Sequence, residues 1–132
     1  PTPVGDIVGT AVVKVLDLEV ARTGVIDHEE AREAGYDPIS QEITAGSRAH
    51  YYPGGSELEV RMTADRETGK LLGASIVGRE GVAKRIDTVA TALHADMTVD
   101  DVEYLDLAYA PPFSPVWDPV LTAAKVLAGK LD

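Results

Sequence analysis

Leu58-Glu59-Val60-Arg61-Met62-Thr63-Ala64, then Asp65-Arg66-Glu67-Thr68-Gly69-Lys70, then Leu71-Leu72-Gly73-Ala74-Ser75-Ile76-Val77, is the stretch that decides the fold. Its first part alternates apolar and polar side chains with period two, the pattern of a strand with one wet face. Its middle supplies turn residues and a glycine able to take φ > 0, and its last part is a continuous apolar run for a partner strand. The three together read as a hairpin. Upstream, residues 39–52 are extended in character and close on Pro53-Gly54-Gly55-Ser56, a turn that brings a third strand beside the first two. Residues 10–20, rich in Val and Leu, read as one further strand.

Helices interrupt and follow these strands. Asp27 ahead of His28-Glu29-Glu30 is an N-cap with acidic residues in the first turn, and Gly35 supplies a stop, so the spacing predicts a helix over 28–34. Val82, Ile86, Val89, Ala90 and Leu93 recur at helical spacing, one apolar stripe that must lie on the sheet. Thr98-Val99-Asp100-Asp101 resembles a capping box for a short helix ending near Leu105. Asp118-Pro119 combines an N-cap with proline at the first helical position, opening a last helix that runs through Leu127 and stops at Gly129. Antiparallel strands with helices gathered around them make an α+β domain, and 1–132 reads as a single one.

A chain of 132 residues buries about 68% of the surface its unfolded form exposes, so a core is attainable without disulfide staples. Its opening at Pro1 without methionine leads to the expectation of a fragment of something longer. A net charge of −10, from 12 basic against 22 acidic residues, argues against nucleic acid or anionic membrane as partner, since phosphate neutralisation needs clustered Lys and Arg. No run approaches the roughly 20 apolar residues of a membrane span, and the expected location is the cytoplasm. With no cysteine there is no disulfide, thiolate metal site or cysteine nucleophile in these residues.

Residues 104–119 gather four of the eight prolines, the only Phe and the only Trp. Proline fixes φ and deletes an amide donor, so this is a stiffened loop presenting aromatics, of the kind that touches a partner or ligand. Tyr104 and Trp117 read as a satellite core beneath the loop, whereas Tyr109 and Phe113, flanked by prolines, read as an exposed contact surface. A second aromatic set, Tyr51 and Tyr52, precedes the Pro-Gly-Gly turn.

Other chemistry is sparsely signalled. Gly5 and Gly9 give only G-x-x-x-G and Gly78 to Gly81 only G-x-x-G, so neither a dinucleotide fingerprint nor a Walker loop exists. His28, His50 and His94 fall in three separate elements without metal-ligand spacing and read as surface or capping residues; no metal is expected. His50 alone, next to Tyr51-Tyr52, could face a cleft. No serine sits in a nucleophile elbow, and no carboxylate pair is nominated.

Four segments carry a family likeness: Gly9-Thr10-Ala11-Val12-Val13-Lys14-Val15, Val20-Ala21-Arg22-Thr23-Gly24, His50-Tyr51-Tyr52-Pro53 and Leu107-Ala108-Tyr109-Ala110-Pro111-Pro112-Phe113-Ser114-Pro115. In these the chain resembles, nearly end to end, the C-terminal dimerisation domain of FAD-dependent pyridine nucleotide-disulfide oxidoreductases, in the single-cysteine branch of coenzyme A disulfide reductase, NADH oxidase and related persulfide reductases. The resemblance implies an α+β interface domain. It implies that FAD, NAD(P)H and the redox cysteine belong to preceding domains of a parent enzyme, and that the fragment alone binds no cofactor and holds no catalytic residue. It also implies a homodimer in which this domain, beside the FAD and NAD domains of its own and the partner subunit, closes the partner's site around a small thiol or disulfide. By that likeness Tyr51, Tyr52, Tyr109 and Phe113 are substrate-binding, and Pro111, Pro112, Phe113 and Trp117 line the dimer interface.

There is a departure from the glutathione reductase branch. That branch carries His-Pro-Thr-x-x-Glu in the matching loop, with the histidine as general acid; here Ala110, Pro111, Pro112 and Pro115 stand there, and a tyrosine hydroxyl or water must manage the proton. The acceptor is left open among coenzyme A disulfide, persulfide and oxygen. The rival readings are a self-standing small-molecule binding domain with an aromatic pocket formed by Tyr51, Tyr52 and Tyr109, and a hydrolase or metalloenzyme using His50.

Overall fold

A computed structural model describes residues 9–131. Gly5 and the first residues of the 1–132 span lie outside the described residues. The strands are β1 (Ala11–Val15), β2 (Leu18–Gly24), β3 (Pro38–Gly46), β4 (Glu57–Asp65) and β5 (Leu71–Gly78). The helices are α1 (His28–Glu33), between β2 and β3, and α2 (Val82–His94), α3 (Val99–Glu103) and α4 (Pro119–Leu131), after the last strand. All strand pairs are antiparallel, in the order β1-β2-β5-β4-β3.

The hairpin read from residues 58–77 is β4 and β5, and Gly69 in its turn takes φ 77°. Leu58, Val60, Met62 and Ala64 are wholly buried; Val60 and Met62 stand opposite Ile76 and Ala74 on β5. Glu59 and Arg61 form the wet face, but Thr63 is buried. There the Ser40 hydroxyl bonds both Thr63 Oγ1 (2.7 Å) and His28 Nε2 (2.6 Å), so the start of α1 covers that end of the sheet.

α2 lies on β5 and β2 and α4 on β3 and β4, all burying their apolar sides in one core against the Leu58-Val60-Met62 face. The capping box at Thr98 forms, with Asp101 N–H donating to the Thr98 hydroxyl (3.2 Å) and Thr98 N–H to the Asp101 carboxylate (3.0 Å). Gly35 follows α1 at φ 94°, the left-handed stop that its position suggests.

Three expectations are corrected. Residues 10–20 are not one strand: the chain reverses at Leu16-Asp17, Leu16 adopts φ 55°, and β1 and β2 form a hairpin with Val13 opposite Val20. The strand expected to reach Tyr52 ends at Gly46, because residues 47–56 curl into a loop whose neck is closed by Ser47 N–H to the Ser56 carbonyl (2.7 Å). α4 does not stop at Gly129, since Leu131 beyond it packs on the core and the helix continues to bring it there.

The register sets Leu58, Gly78 and Glu19 side by side. The β1–β2 turn, the 47–56 loop and the 79–81 connection therefore share one end of the sheet, and the proline-rich loop between α3 and α4 reaches the same end through a backbone bond from Ala49 N–H to the Pro111 carbonyl (3.1 Å).

Candidate functional site

Two loops meet at that end, and the tyrosines singled out from sequence lie on them, Tyr51 and Tyr52 on one and Tyr109 on the other. The 47–56 loop is tied by Ser47, whose hydroxyl accepts from Ser56 N–H (3.0 Å) and donates to Glu80 Oε1 (2.6 Å). Arg48 pairs with the same Glu80 through Nε (2.8 Å) and Nη2 (2.9 Å), and its Nη1 donates to the Pro53 carbonyl (2.9 Å). Arg48, followed by Ser47, holds the Glu80 carboxyl below its ordinary range. The loop is thus braced by charge-assisted bonds, which are the stronger kind.

The proline loop turns at Ala110, whose carbonyl accepts from Phe113 N–H (2.9 Å) and Ser114 N–H (3.1 Å). Ser114 and Asp118 are buried at its far end, where Asp118 accepts from the Ser114 hydroxyl (3.3 Å) and caps α4 by accepting from Val120 N–H (2.9 Å). Arg85 of α2 sits between the two loops at 1% exposure. Its Nε donates to both Asp118 oxygens (3.3 and 3.1 Å), Nη1 to the Gly81 carbonyl (3.0 Å), and Nη2 to the carbonyls of Ser47 and Phe113 (3.2 Å each). A buried cation needs such full compensation, since each unmet donor costs free energy in a dry site.

At the tips of the loops the Tyr51 and Tyr109 hydroxyls lie 3.0 Å apart. Both rings are exposed, and the bond with Tyr51 is the chief reason the Tyr109 phenol is raised above its ordinary value, so Tyr109 keeps its proton to higher pH. The pair is a ready donor to a sulfur or oxygen anion approaching from outside. His50 lies edge-on to Tyr51 with ring centroids 5.5 Å apart, and Arg48 lies over Tyr52 at 5.8 Å. Open clefts lie along the two loops: one of about 410 Å³ is lined by Arg48, His50, Tyr52 and Ser56, and one of about 210 Å³ by Arg48, Lys84, Pro112 and Phe113.

The structure therefore brings Tyr51 and Tyr109 together, with Tyr52 beside them on the 47–56 loop. Phe113 is 69% exposed, as its proline neighbours suggested, with Pro111 and Pro112 half-buried next to it. The satellite core expected of Tyr104 and Trp117 does not form. Tyr104 is 79% and Trp117 58% exposed, because the loop is held by backbone bonds to Arg85 and Ala49 and needs no aromatic filling; Trp117 carries Lys125 Nζ 5.5 Å from its ring centroid. Among the described residues no three His, Asp or Glu groups converge as metal ligands, and His28 is engaged with Ser40. Arg85, Arg48 and Glu80 went unread in the sequence. A cation at position 85, one residue from Ile86 in the apolar stripe of α2, was the available signal for the first.

The pyridine nucleotide-disulphide oxidoreductase dimerisation domain matches residues 10–119. The chain belongs to this family. It is 47% identical over 121 residues to an NAD(P)H coenzyme A polysulfide/persulfide reductase of Pyrococcus horikoshii, covering 92% of this chain and 27% of that protein. It is 40% identical to a coenzyme A disulfide reductase of Staphylococcus aureus, covering 80% of this chain and 24% of that one. A NAD-dependent persulfide reductase from A. fulgidus superimposes with a TM-score of 0.89 at 42% identity, over 94% of this chain and 23% of that structure. The chain thus spans about a quarter of the length of the relatives it matches. The α+β class with its antiparallel sheet is that of the dimerisation domain, as expected from the sequence.

Proposed function

We propose that this domain joins two copies of a longer FAD-dependent NAD(P)H oxidoreductase acting on disulfide or persulfide sulfur, and that its exposed loops complete the partner subunit's substrate site. The observation that carries the reading is the Tyr51–Tyr109 hydroxyl pair, 3.0 Å apart on two braced loops and turned outward from the domain's own core. Sulfur is favoured over oxygen as acceptor because the relatives cited above are named for persulfide and coenzyme A disulfide reduction.

Reductive cleavage of an S–S bond consumes two electrons and releases a thiolate that needs a proton. The hydroxyl of Tyr109, hydrogen-bonded to Tyr51, donates to that departing sulfur and is recharged from solvent, to which both rings are open. Tyr52 and Phe113 supply apolar surface beside it, and Pro111, Pro112 and Trp117 face the second copy. Flavin and nicotinamide nucleotides supply the reducing electrons in such enzymes, but the glycine-bearing turn at the start of α2 does not fit their phosphates. At the Gly78–Gly81 turn the Val82 N–H is directed to Glu19 Oε1 (3.3 Å), so a carboxylate already stands at the start of α2 where a phosphate would sit. The nucleotides and the redox cysteine belong to the remainder of the longer protein. No helix among the described residues is long and apolar enough to cross a membrane, and the proposal sets the enzyme in the cytoplasm.

Tyr109→Phe in the longer flavoprotein tests the reading. Coenzyme A disulfide reduction is expected to lose on the order of 10²-fold in kcat/KM while flavin reduction by NAD(P)H is unchanged. Unaltered turnover with the sulfur substrate would count against the reading.

A further inference from the structure

We propose that Arg85 is the positioning residue for the paired phenols: by donating from one nitrogen to the carbonyls of Ser47 and Phe113, it sets the spacing of the two loops that bear Tyr51 and Tyr109. The inference rests on the proposed function for its consequence in turnover, but on geometry for its mechanism. Ser47 stands four residues before Tyr51, and Phe113 four residues after Tyr109. Nη2 reaches both carbonyls at 3.2 Å, so the roots of the two loops are joined at a single atom. Nε is occupied by Asp118 and Nη1 by Gly81, which fixes the plane of the guanidinium and hence the direction in which Nη2 points. Gly81 has φ 71°, and a Cβ there would meet Arg85 Nη1, so the neighbouring backbone is shaped around the guanidinium. A lysine at position 85 keeps the charge opposite Asp118 but has no planar fork with which to hold three carbonyls as well.

A hydroxyl pair 3.0 Å apart tolerates little drift, and a misplacement of about 1 Å in a reacting group costs on the order of 10²-fold in rate. Arg85 touches no substrate in this scheme; it acts through the tyrosines.

The test uses Arg85→Lys in the longer flavoprotein, with coenzyme A disulfide as substrate and an alkaline ultraviolet titration of the phenols, Tyr109 being assigned by its loss in Tyr109→Phe. The expected result is normal flavin content and dimerisation, a drop of roughly tenfold or more in kcat/KM, and a Tyr109 titration that moves down to the ordinary tyrosine range as the bond to Tyr51 opens. Combining Arg85→Lys with Tyr109→Phe should lower kcat/KM no further than Tyr109→Phe alone. If Arg85→Lys yields no flavin-loaded dimer, Arg85→Met with Asp118→Asn removes both charges together, keeps a cap for α4, and carries the same expectation.

An unchanged Tyr109 titration in a folded variant overturns the proposal. So does failure of both variants to assemble, which would assign Arg85 to the fold alone. A normal turnover in Tyr109→Phe alone would instead defeat the functional reading, while the titration still decides the role of Arg85.

Discussion

Arg85 and Gly81 illustrate how one residue's chemistry constrains another's backbone. The guanidinium is buried at 1% exposure, and Asp118 and three carbonyls replace its water shell. Removing Asp118 alone would strand that charge, a loss of about 3–5 kcal/mol, whereas neutralising both partners together costs far less. Gly81 contributes by having no side chain. Gly81→Ala is expected to destabilise the domain by about 1–2 kcal/mol from the left-handed φ alone, with more from the displaced Arg85. Urea unfolding of the two forms measures this, and equal midpoints would refute it. The Tyr51–Tyr109 pair lies at the same scale: Tyr109 was legible as an aromatic on a proline-stiffened loop and Tyr51 as one closing an extended segment before a turn, but their union depends on a contact between residues 58 positions apart.

At the scale of elements, local chemistry and distant bracing divide the work. The helix starts are local: Asp27, Thr98 and Asp118 each accept an amide proton from the first turn that follows. Thr98→Ala should cost about 1 kcal/mol for this reason, seen as a lowered unfolding midpoint. The 47–56 loop is held instead by Glu80, from another part of the chain. Its folded value is depressed below the ordinary 4.5 by Arg48 and Ser47, so its contribution to stability is complete above about pH 4.5 and is lost as pH falls through the lower folded value. Glu80→Gln is expected to flatten this acid limb and to speed hydrogen exchange at the Ser56 amide, which bonds to Ser47 Oγ. An acid limb identical to that of the parent would contradict the assignment.

Over the whole molecule, one face of the sheet is sealed by α2 and α4 while apolar surface is left open elsewhere. Val13, Val15, Leu18 and Val20 stand opposite one another on the outer hairpin and are all at least 36% exposed, and Leu16 at its tip is 91% exposed. Contiguous apolar exposure of this kind marks a contact surface rather than a solvent face. Phe113 and Trp117 form a second exposed set around the prolines. The proposed dimer predicts that the domain self-associates in sedimentation equilibrium and that Phe113→Asp with Trp117→Asp shifts it toward monomer; a parent domain monomeric at high concentration would argue against that interface.

The β4–β5 hairpin, the helix starts and the α+β class were set by the sequence alone, because alternation, capping and turn preferences act between residues a few positions apart. The break at Leu16-Asp17 escaped that reading because no glycine marks it, and the end of β3 at Gly46 because the residues after it remain extended in composition. Tyr109 could be named from its place on a stiff loop, and Tyr51, with Tyr52, from its place before the Pro-Gly-Gly turn. That they touch, and that Arg85, Asp118, Arg48 and Glu80 hold the loops beneath them, was decided only in three dimensions. Such partners lie about thirty positions or more apart, and a hydrogen bond leaves no periodic trace along the chain.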